Sequence, residues 1–229
     1  MVNGEIYLPL PHKVTKMTVD EAMLLRRSIR EYKAEPLTVD QLSMLLWAAQ
    51  GITEPRYRFR AAPSAGATYP LELYVVVGTK SVRVGSDEYL PAGVYKYDVM
   101  KHALIPIKKG DYREELYRAS LRQEWVRDAP VNIVVCAVYE RTTRVYGERG
   151  YRYVYMEVGH VGQNIYLMAT ALHLGTVVVG AFYDNEVAKV IGAKPNEHPL
   201  YVIPVGVPEK PHKMTFQEID QWYEKQRGK

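Results

Sequence analysis

The stretch RAAPSAGATYPLELYVVV, residues 60–77, places a run of small residues directly before an apolar strand. The segment Pro63–Gly66, called the small-residue loop below, carries no bulky side chain. Its backbone amides can therefore approach a flat or charged ligand closely, although a simple turn explains the same composition. A hydrolase nucleophile at Ser64 is a weaker interpretation, because G-x-S-x-G is absent and the sequence places no His or Asp to activate it.

Apolar segments around this stretch predict one sheet. Residues 129–139, APVNIVVCAVY, are apolar on both faces, which implies burial beneath helices on each side. A hairpin is predicted from GVYKY to ALIPI, where Pro106 suits an edge or a bulge. Further strands are predicted in TVVVGAF and LYVIPVGV.

Helices are predicted before, between and after these strands. Capping boxes mark three helix starts, at Thr18 to Glu21, Thr38 to Gln41 and Thr215 to Glu218. Other helices are predicted from Asp111 to about Gln123, near residues 185–191, and from about Gly150 to Leu174, closed by Gly175. This order predicts a single α+β domain over residues 1–229 rather than a doubly wound fold. The longest helix is apolar around much of its circumference, which suits a central position at a subunit interface.

The composition is that of an ordinary globular chain, with 229 residues of which 47% are apolar. Cys136 is the single cysteine and cannot form an internal disulfide, and no apolar run approaches the roughly 20 residues that span a bilayer. We therefore expect a cytoplasmic protein that does not associate with membranes. A net charge of +4 does not by itself indicate a nucleic-acid partner.

The sequence RRSIR, residues 26–30 and called the arginine segment below, departs from an otherwise interspersed charge pattern. If the first helix continues through it, Arg26 and Arg30 share one face and repel each other, with Arg27 adding to the crowding. A phosphate would relieve this repulsion, because Arg offers a planar fork of donors and Ser28 a hydroxyl. A solvated basic turn paired with Glu31 is the alternative.

Small residues also end the segment VVVGAF, at Gly180 and Ala181. Backbone donors at such a position can meet the edge of a ligand, although a plain strand end is the alternative. Together with the arginine segment and the small-residue loop, they indicate a ligand that carries a phosphate and a planar group.

Four ordered blocks resemble the FMN-dependent nitroreductase superfamily, and within it the thiazole/oxazole-forming (azoline) dehydrogenases. The blocks are LLRRSIREY, APSAGATYPLELYVVV, GERGYRYVYMEVGHVGQNIYLMATALHLGTVVVGAF and PLYVIPVGVPE. They span roughly residues 18–216, and ordered blocks in combination are more specific than any one of them.

The resemblance implies an α/β/α sandwich with a mixed, mostly antiparallel sheet, in a homodimer that binds FMN at the interface of its long central helices. The arginine segment would hold the phosphate and ribityl chain, and the small-residue loop would reach the flavin ring from the partner subunit. Gly180 and Ala181 would present N–H groups near the reactive N5. Gln123 would stand beside the ring as a donor, an exposed helix terminus being the alternative. The implied cofactor-binding residues are Arg26, Arg27, Ser28, Arg30, Pro63, Ser64, Ala65, Gly66, Gln123, Val179, Gly180, Ala181 and Lys213.

Two positions depart from the family pattern. Many nitroreductases carry an Arg near the C-terminus for the phosphate, whereas PEKPHKMTF offers Lys210 or Lys213, and the spacing favours Lys213. The Lys-Tyr pair of azoline dehydrogenases is replaced by Val145 and Tyr146. Tyr146 is therefore the implied catalytic residue for proton transfer, and the missing Lys argues against azoline oxidation.

The activity that the resemblance implies is a ping-pong oxidoreduction. NAD(P)H or another donor passes a hydride to flavin N5, and a small acceptor such as a nitroaromatic or a quinone then takes the electrons. An azoline-type peptide dehydrogenase and a non-catalytic flavin carrier or sensor are the alternatives.

Other functional classes find less support in the sequence. Residues 56–60, RYRFR, interleave Arg with aromatic residues suited to stacking bases, but the G-x-x-G match in GHVG lies inside the predicted long helix. Glu157-x-x-His160 matches half of a di-iron site without a second copy. We therefore expect no metal and no nucleic acid, and interpret His160 as a hydrogen-bonded interior residue.

Overall fold

The computed structural model describes residues 4–228. Its helices are α1 Val19–Leu25, α2 Val39–Gln50, α3 Arg113–Ala119, α4 Glu124–Asp128, α5 Glu140–Tyr146, α6 Arg149–Ala171, α7 Asp184–Ile191 and α8 Phe216–Gln226. Its strands are β1 Ile6–Tyr7, β2 Leu37–Thr38, β3 Ile52–Glu54, β4 Phe59–Arg60, β5 Leu71–Val77, β6 Val82–Arg83, β7 Gly93–Asp98, β8 Ala103–Lys109, β9 Val131–Ala137, β10 Gly175–Thr176 and β11 His198–Gly206.

One seven-stranded sheet organises the fold, in the order β1-β8-β7-β5-β9-β11-β10. Every neighbouring pair in it is antiparallel, and the predicted hairpin is the β7–β8 pair. The short β2–β6 pair is parallel and lies outside the main sheet, whereas β3 and β4 form a small antiparallel hairpin. The predicted α+β class is confirmed.

Both faces of the central strands are buried because helices cover the sheet on each side. On β5, Leu73 and Val75 belong to the core that contains α2 and α6, whereas Tyr74 and Val76 face α3, α4 and α7. The same alternation runs along β9. Since successive side chains of a strand point to opposite faces, a strand that is apolar throughout needs two apolar helical layers. The predicted α/β/α sandwich is confirmed.

The three capping boxes form as predicted, with Thr18, Thr38 and Thr215 as the N-cap residues of α1, α2 and α8. The longest helix, α6, runs through the middle of the chain and packs against α1, α2 and α5. Among residues 4–228, none of the helices is long and apolar enough to cross a membrane.

Three predictions were wrong in detail. The helix predicted from Asp111 to about Gln123 is shorter, because α3 covers only Arg113–Ala119, and Leu121 and Arg122 then adopt positive φ angles of 55° before α4 begins. TVVVGAF forms a strand only at Gly175–Thr176, followed by an isolated bridge between Val179 and Val202. His160 is exposed on α6 in this chain rather than interior.

A buried hydrogen-bonded chain holds the N-terminal segment against the sheet. Ser43 Oγ donates to the Pro9 carbonyl at 2.6 Å and therefore accepts from His102 Nε2 at 2.7 Å. His102 Nδ1 then accepts from the Tyr97 hydroxyl at 2.7 Å. Every polar atom of a neutral imidazole is satisfied, whereas a protonated ring would turn a second donor toward Tyr97. Burial accordingly lowers the pKa of His102 below its ordinary value of 6.5, against the opposing effect of the Pro9 carbonyl, which accepts from the ring.

The hydrogen bonds that link Ser43, His102 and Tyr97 predict that the fold is less stable in acid. Because the folded-state pKa of His102 is lowered, the unfolded chain binds the proton first and stability is lost as pH falls below about 6.5. His102→Gln is expected to unfold about 2 kcal/mol more easily at pH 7 and to lose part of this pH dependence. Urea unfolding between pH 7 and pH 5 measures both, with the exposed His12→Gln as the matched control. A His102→Gln protein that keeps the wild-type slope would contradict the assignment.

Candidate functional site

The arginine segment is extended, not helical. α1 ends at Leu25, and Arg26 already has φ −58° and ψ 125°. Ser28 forms a parallel bridge with Thr176, and the Ile29 N–H donates to the Thr176 carbonyl at 2.9 Å. The expectation that two arginines share a helix face is therefore wrong. Because side chains of an extended segment alternate, positions 26, 28 and 30 share one side instead.

Tyr166, on α6, organises that side of the arginine segment. The Arg26 guanidinium lies 5.2 Å above the Tyr166 ring, and Ser28 Oγ is 2.8 Å from its hydroxyl. The same hydroxyl accepts from the Val178 N–H at 3.0 Å. One tyrosine thus joins the arginine segment to the chain that leads into Gly180.

Two positive charges on this side, those of Arg26 and Arg30, lie against aromatic rings. The Arg30 guanidinium lies 5.3 Å above the Trp125 ring. Among residues 4–228, neither Arg26 nor Arg30 forms an ion pair with a carboxylate. The Trp125 Nε1 donor is buried without an acceptor. Uncompensated guanidinium groups beside a free donor fit an anionic ligand such as phosphate.

Arg27 lies apart from these groups. Its guanidinium donates to the carbonyls of Leu24 and Arg26, at 3.2 Å and 2.6 Å. It lines a small cleft of about 80 Å³ with Ile29 and His212. Lys213 follows His212 and is exposed. The structure therefore places Arg27 on the opposite side of the extended segment from Arg26 and Arg30.

Free backbone donors lie at Gly180 and Ala181, which follow shortly after Val178 in the chain. Both residues are exposed, and their N–H groups take part in no hydrogen bond among the described residues. A Cβ on Gly180 would meet only a ring carbon of Tyr201 at 3.9 Å, so its surroundings are open. Val179, by contrast, is buried and exchanges both backbone hydrogen bonds with Val202. Val179 therefore supports the turn and offers no donor of its own.

The Gln123 side chain holds the turn at Gly180 and Ala181 through a hydrogen bond. It is the N-cap residue of α4, and its Nε2 donates to the carbonyls of Ser120 and Ala181, at 2.9 Å and 2.8 Å. Both amide hydrogens are therefore used. The expectation that Gln123 supplies a donor to a ring is wrong, because only its Oε1, an acceptor, remains available.

A turn of 3-10 helix, Ala65–Ala67, begins within the small-residue loop, and Ser64 occupies its N-cap position without a side-chain capping bond. Gly66 has φ +57°, and a Cβ there would lie 2.6 Å from the Tyr146 hydroxyl. Tyr69 has a positive φ of 44° and donates its N–H to Ser64 Oγ at 2.9 Å. A non-glycine residue in this conformation is costly unless neighbours hold it. The structure thus brings the predicted catalytic Tyr146 to the small-residue loop.

The two groups of predicted residues lie at different positions along α6. Tyr166 contacts the arginine segment, whereas Glu157 lies 3.5 Å from Gln50, which bonds with Arg60 just before the small-residue loop. Nine residues of helix separate them by about 13 Å along its axis. Within one chain, the small-residue loop and the arginine segment are therefore separate half-sites.

A buried polar cluster behind the small-residue loop was missed by the sequence analysis. Arg60 Nη1 donates to Gln50 Oε1 at 2.9 Å, and Gln50 Nε2 lies 3.5 Å from Glu157 Oε1. Burial raises the pKa of Glu157 to about 7, against the opposing effects of Ser64, Gln50 and Arg60. The signal available was a carboxylate in the apolar stretch YMEVGHVG. Tyr166 and Trp125, also missed, carry no signal among so many aromatic residues.

Residues 24–207 match the nitroreductase family. The chain belongs to that family. The protein MJ1384 of Methanocaldococcus jannaschii, whose name also places it among nitroreductases, is 50% identical over 202 residues, 88% of this chain and 96% of MJ1384. A Ralstonia eutropha crystal structure described as a nitroreductase has a TM-score of 0.77 at 27% identity, covering 91% of each chain. The resemblance seen in the sequence is confirmed.

A processing protein is also similar to this chain. The microcin B17-processing protein McbC of Escherichia coli is 29% identical over 160 residues. The match covers 68% of this nitroreductase-family chain but only 56% of McbC. A large part of McbC therefore has no counterpart in the alignment.

Proposed function

We propose that this member of the nitroreductase family binds FMN and transfers a hydride from NAD(P)H, or another donor, through flavin N5 to a small acceptor such as a nitroaromatic or a quinone. The observation that carries the proposal is the pair of uncompensated guanidinium groups at Arg26 and Arg30. Tyr166 connects their segment to Val178, which leads into the free N–H groups of Gly180 and Ala181. This donor set suits a phosphate joined to a flat ring with acceptor edges.

Each group of residues has its own part in holding the cofactor. Arg26, Ser28 and Arg30 would hold the phosphate and ribityl chain, and Gly180 and Ala181 would donate to the ring edge. FMN, when bound, supplies the hydride-accepting atom. Arg27 and Lys213 are weaker proposals, because the Arg27 guanidinium is already bonded to backbone carbonyls.

A second copy of the chain would complete the site. Within one protomer the small-residue loop is far from the arginine segment, so we propose that Pro63, Ser64, Ala65 and Gly66 act in the site of a partner. The exposed face of α6, which includes Met156 and is unpartnered in a single chain, suits the contact. α8 has no buried residue, so its apolar side chains are also available to a second copy. A cytoplasmic homodimer is part of the proposal.

The small-residue loop and Tyr146 would carry the remaining steps of the proposed reaction. The compact backbone of the small-residue loop would exclude water and hold a flat donor or acceptor at near-contact distance, which hydride transfer requires. Tyr146, whose hydroxyl lies against Gly66, is the proposed acid or base for an acceptor held there. Donor and acceptor would use one face in turn, which gives ping-pong kinetics.

Azoline oxidation in a peptide is the second candidate, and the similarity to McbC favours it. Val145 stands where the related dehydrogenases carry Lys, so Tyr146 would have to act alone. A substrate panel that includes a thiazoline peptide separates the two candidates. Turnover of that peptide, without turnover of quinones or nitroaromatics, would favour the second.

Purified protein is expected to be yellow, to release FMN on denaturation and to bleach when NADH or NADPH is added without oxygen. Its mass in solution is expected to be twice the 26.2 kDa of one chain. Anaerobic reductive titration followed by an acceptor panel measures the activity, and light scattering measures the mass.

Three outcomes would count against the proposal. A colourless protein that does not take up added FMN rejects the cofactor. A yellow protein that neither NADH nor NADPH reduces, and that passes no electrons to an acceptor after reduction by dithionite, favours the flavin carrier. A monomer that binds FMN with full affinity rejects the shared site.

A further inference from the structure

An exposed pair of aromatic rings lies on the small hairpin that leads into the small-residue loop. The hairpin consists of β3, β4 and the turn between them, and its residues 55–59 are called the hairpin tip below. The rings of Tyr57 and Phe59 lie 5.6 Å apart at an angle of 28°, and 59% and 47% of these residues are exposed. Large aromatic side chains that are exposed side by side indicate a binding surface.

Arginines accompany these rings on the hairpin tip. The Arg56 guanidinium lies 5.1 Å from the centre of the Tyr57 ring. Arg56 and Arg58 are exposed, and among residues 4–228 neither forms an ion pair with a carboxylate. Glu54, the acidic residue of the hairpin, accepts from the Tyr57 backbone N–H instead. Positive groups beside open rings suit a ligand that has both a flat ring and negative charge.

The base of the hairpin is held in place by α2 and by the chain that follows β4. Trp47, on α2, donates its Nε1 hydrogen to the Ile52 carbonyl at 3.1 Å. The Ala61 N–H donates to the Gly51 carbonyl at 2.9 Å. The hairpin tip therefore has a fixed support, and a pre-organised surface loses less conformational freedom when a ligand binds.

The hairpin tip lies close to the small-residue loop. Three residues separate Phe59 from Pro63, so their Cα atoms are at most about 14 Å apart. Arg60, between them, is not part of the exposed surface, because it stacks 4.3 Å from the centre of the Tyr69 ring and donates to Gln50. An extended ligand held by the hairpin tip can therefore also contact the loop at which the hydride donor is proposed to lie.

We propose that the hairpin tip binds the adenosine end of the hydride donor, a pyridine dinucleotide whose nicotinamide lies against the small-residue loop. This inference rests on the proposed function. The adenine would stack on Tyr57 and Phe59, since bases stack favourably on aromatic side chains. The phosphates would bind Arg56 and Arg58, whose planar forks match phosphate oxygens. NADPH is expected to bind more tightly than NADH, because its 2′-phosphate adds negative charge to the adenosine.

The combination of rings and charge favours a dinucleotide over other ligands. A quinone or a nitroaromatic is flat but carries no phosphate, and FMN has the arginine segment for its own phosphate. A single-stranded nucleic acid shares the chemistry of base and phosphate, but a strand is bound along a basic groove that follows several nucleotides. The hairpin tip offers two arginines and two rings, which suit a ligand with one base and a few phosphates.

The first test measures binding without turnover and without a contribution from the flavin. Calorimetric titration of the purified protein uses 2′,5′-ADP, the adenosine end of NADPH. Replacing Tyr57 and Phe59 together by alanine, or Arg56 and Arg58 together by alanine, is expected to weaken binding about tenfold in each case. The arginine variant is also expected to lose most of the salt dependence of binding, because it no longer neutralises phosphates.

Controls for the first test are exposed residues of the same types elsewhere. Tyr7→Ala removes an exposed tyrosine from β1, and Arg118→Ala removes an arginine that is paired with Glu114 on α3. Both are expected to bind 2′,5′-ADP as the wild type does. Tyr57→Phe keeps the ring and is expected to retain binding within about twofold, whereas Arg58→Lys keeps the charge without the fork and is expected to be intermediate.

The second test follows anaerobic reduction of the holoenzyme flavin by NADPH and by NADH. Both double variants are expected to need about ten times more NADPH for half of the limiting rate. The limiting rate itself is expected to stay unchanged, because the hairpin tip contacts the end of the donor that does not react. The arginine variant is expected to lose most of the preference for NADPH. Oxidation of the dithionite-reduced holoenzyme by a quinone, which involves no nucleotide, is expected to be unchanged.

The outcomes separate this inference from the proposed function. If the protein takes up no FMN, the proposed function fails, and the 2′,5′-ADP titration still decides whether the hairpin tip binds a nucleotide. If FMN binds and NADPH reduces both double variants as it reduces the wild type, the inference is wrong and the proposed function stands. Tighter binding of an oligonucleotide than of NADPH would overturn the choice of a dinucleotide. A monomeric Tyr57→Ala, Phe59→Ala protein in light scattering would make the hairpin tip a subunit contact instead.

Discussion

Replacing Arg26 and Arg30 together by alanine is expected to weaken FMN binding about a thousandfold. Each guanidinium lies on the side of the extended segment that carries Ser28, and neither is neutralised by a carboxylate within residues 4–228. A charge-assisted hydrogen bond contributes about 2 kcal/mol, and about 1.4 kcal/mol corresponds to a tenfold change in affinity. Losing two such bonds gives the expected factor.

Arg27 provides an internal contrast for this prediction. Its guanidinium is bonded to two backbone carbonyls and lies on the other side of the segment, so Arg27→Ala is expected to change FMN affinity less than about fivefold. Arg83→Ala, on the exposed side of β6, is the matched surface control. Titration of apoprotein with FMN, followed by flavin fluorescence at two salt concentrations, measures all four proteins. If Arg27→Ala proves as damaging as the double variant, the phosphate lies on the other side of the segment.

The layers of the fold could be predicted from the sequence because burial on both faces leaves a visible pattern. β9 is buried at every position and apolar at all but Asn132, and such a strand is stable only between two helical layers. Capping boxes likewise marked the starts of α1, α2 and α8. Helix ends were less visible, since the break near Leu121 depends on backbone angles that no residue type there requires.

The candidate site could be predicted only in part, because its residues meet through contacts between distant positions of the sequence. The residues of the arginine segment were identifiable by charge, but its extended conformation depends on the bridge between Ser28 and Thr176, which are far apart in the sequence. The buried contact between Gln50 and Glu157 is more remote still, because the two residues are 107 positions apart. Contacts of this kind depend on how α2 packs against α6. The periodicity of apolar residues does not reveal which residues of the two helices meet.

Gly175 packs against the arginine segment and does not close α6. Its place in the sequence predicts the glycine that closes α6, but α6 ends at Ala171 and Gly175 lies in β10. A Cβ at Gly175 would lie 2.7 Å from Ile29 Cγ2 and 2.8 Å from Ile29 Cβ. The glycine therefore allows the arginine segment to pack directly against β10.

Gly175→Val is expected to lower the free energy of unfolding by about 3 kcal/mol, because overpacking forces the arginine segment away from β10. Molecules that remain folded are expected to bind FMN at least tenfold more weakly, since Arg26 and Arg30 flank the displaced Ile29. Gly85→Val is the matched control, because its Cβ would meet only Glu88 side-chain atoms at 3.6 Å. Urea unfolding and FMN titration on both proteins measure the two effects. A destabilised Gly175→Val protein with wild-type FMN affinity would show that the position of the arginine segment does not govern cofactor binding.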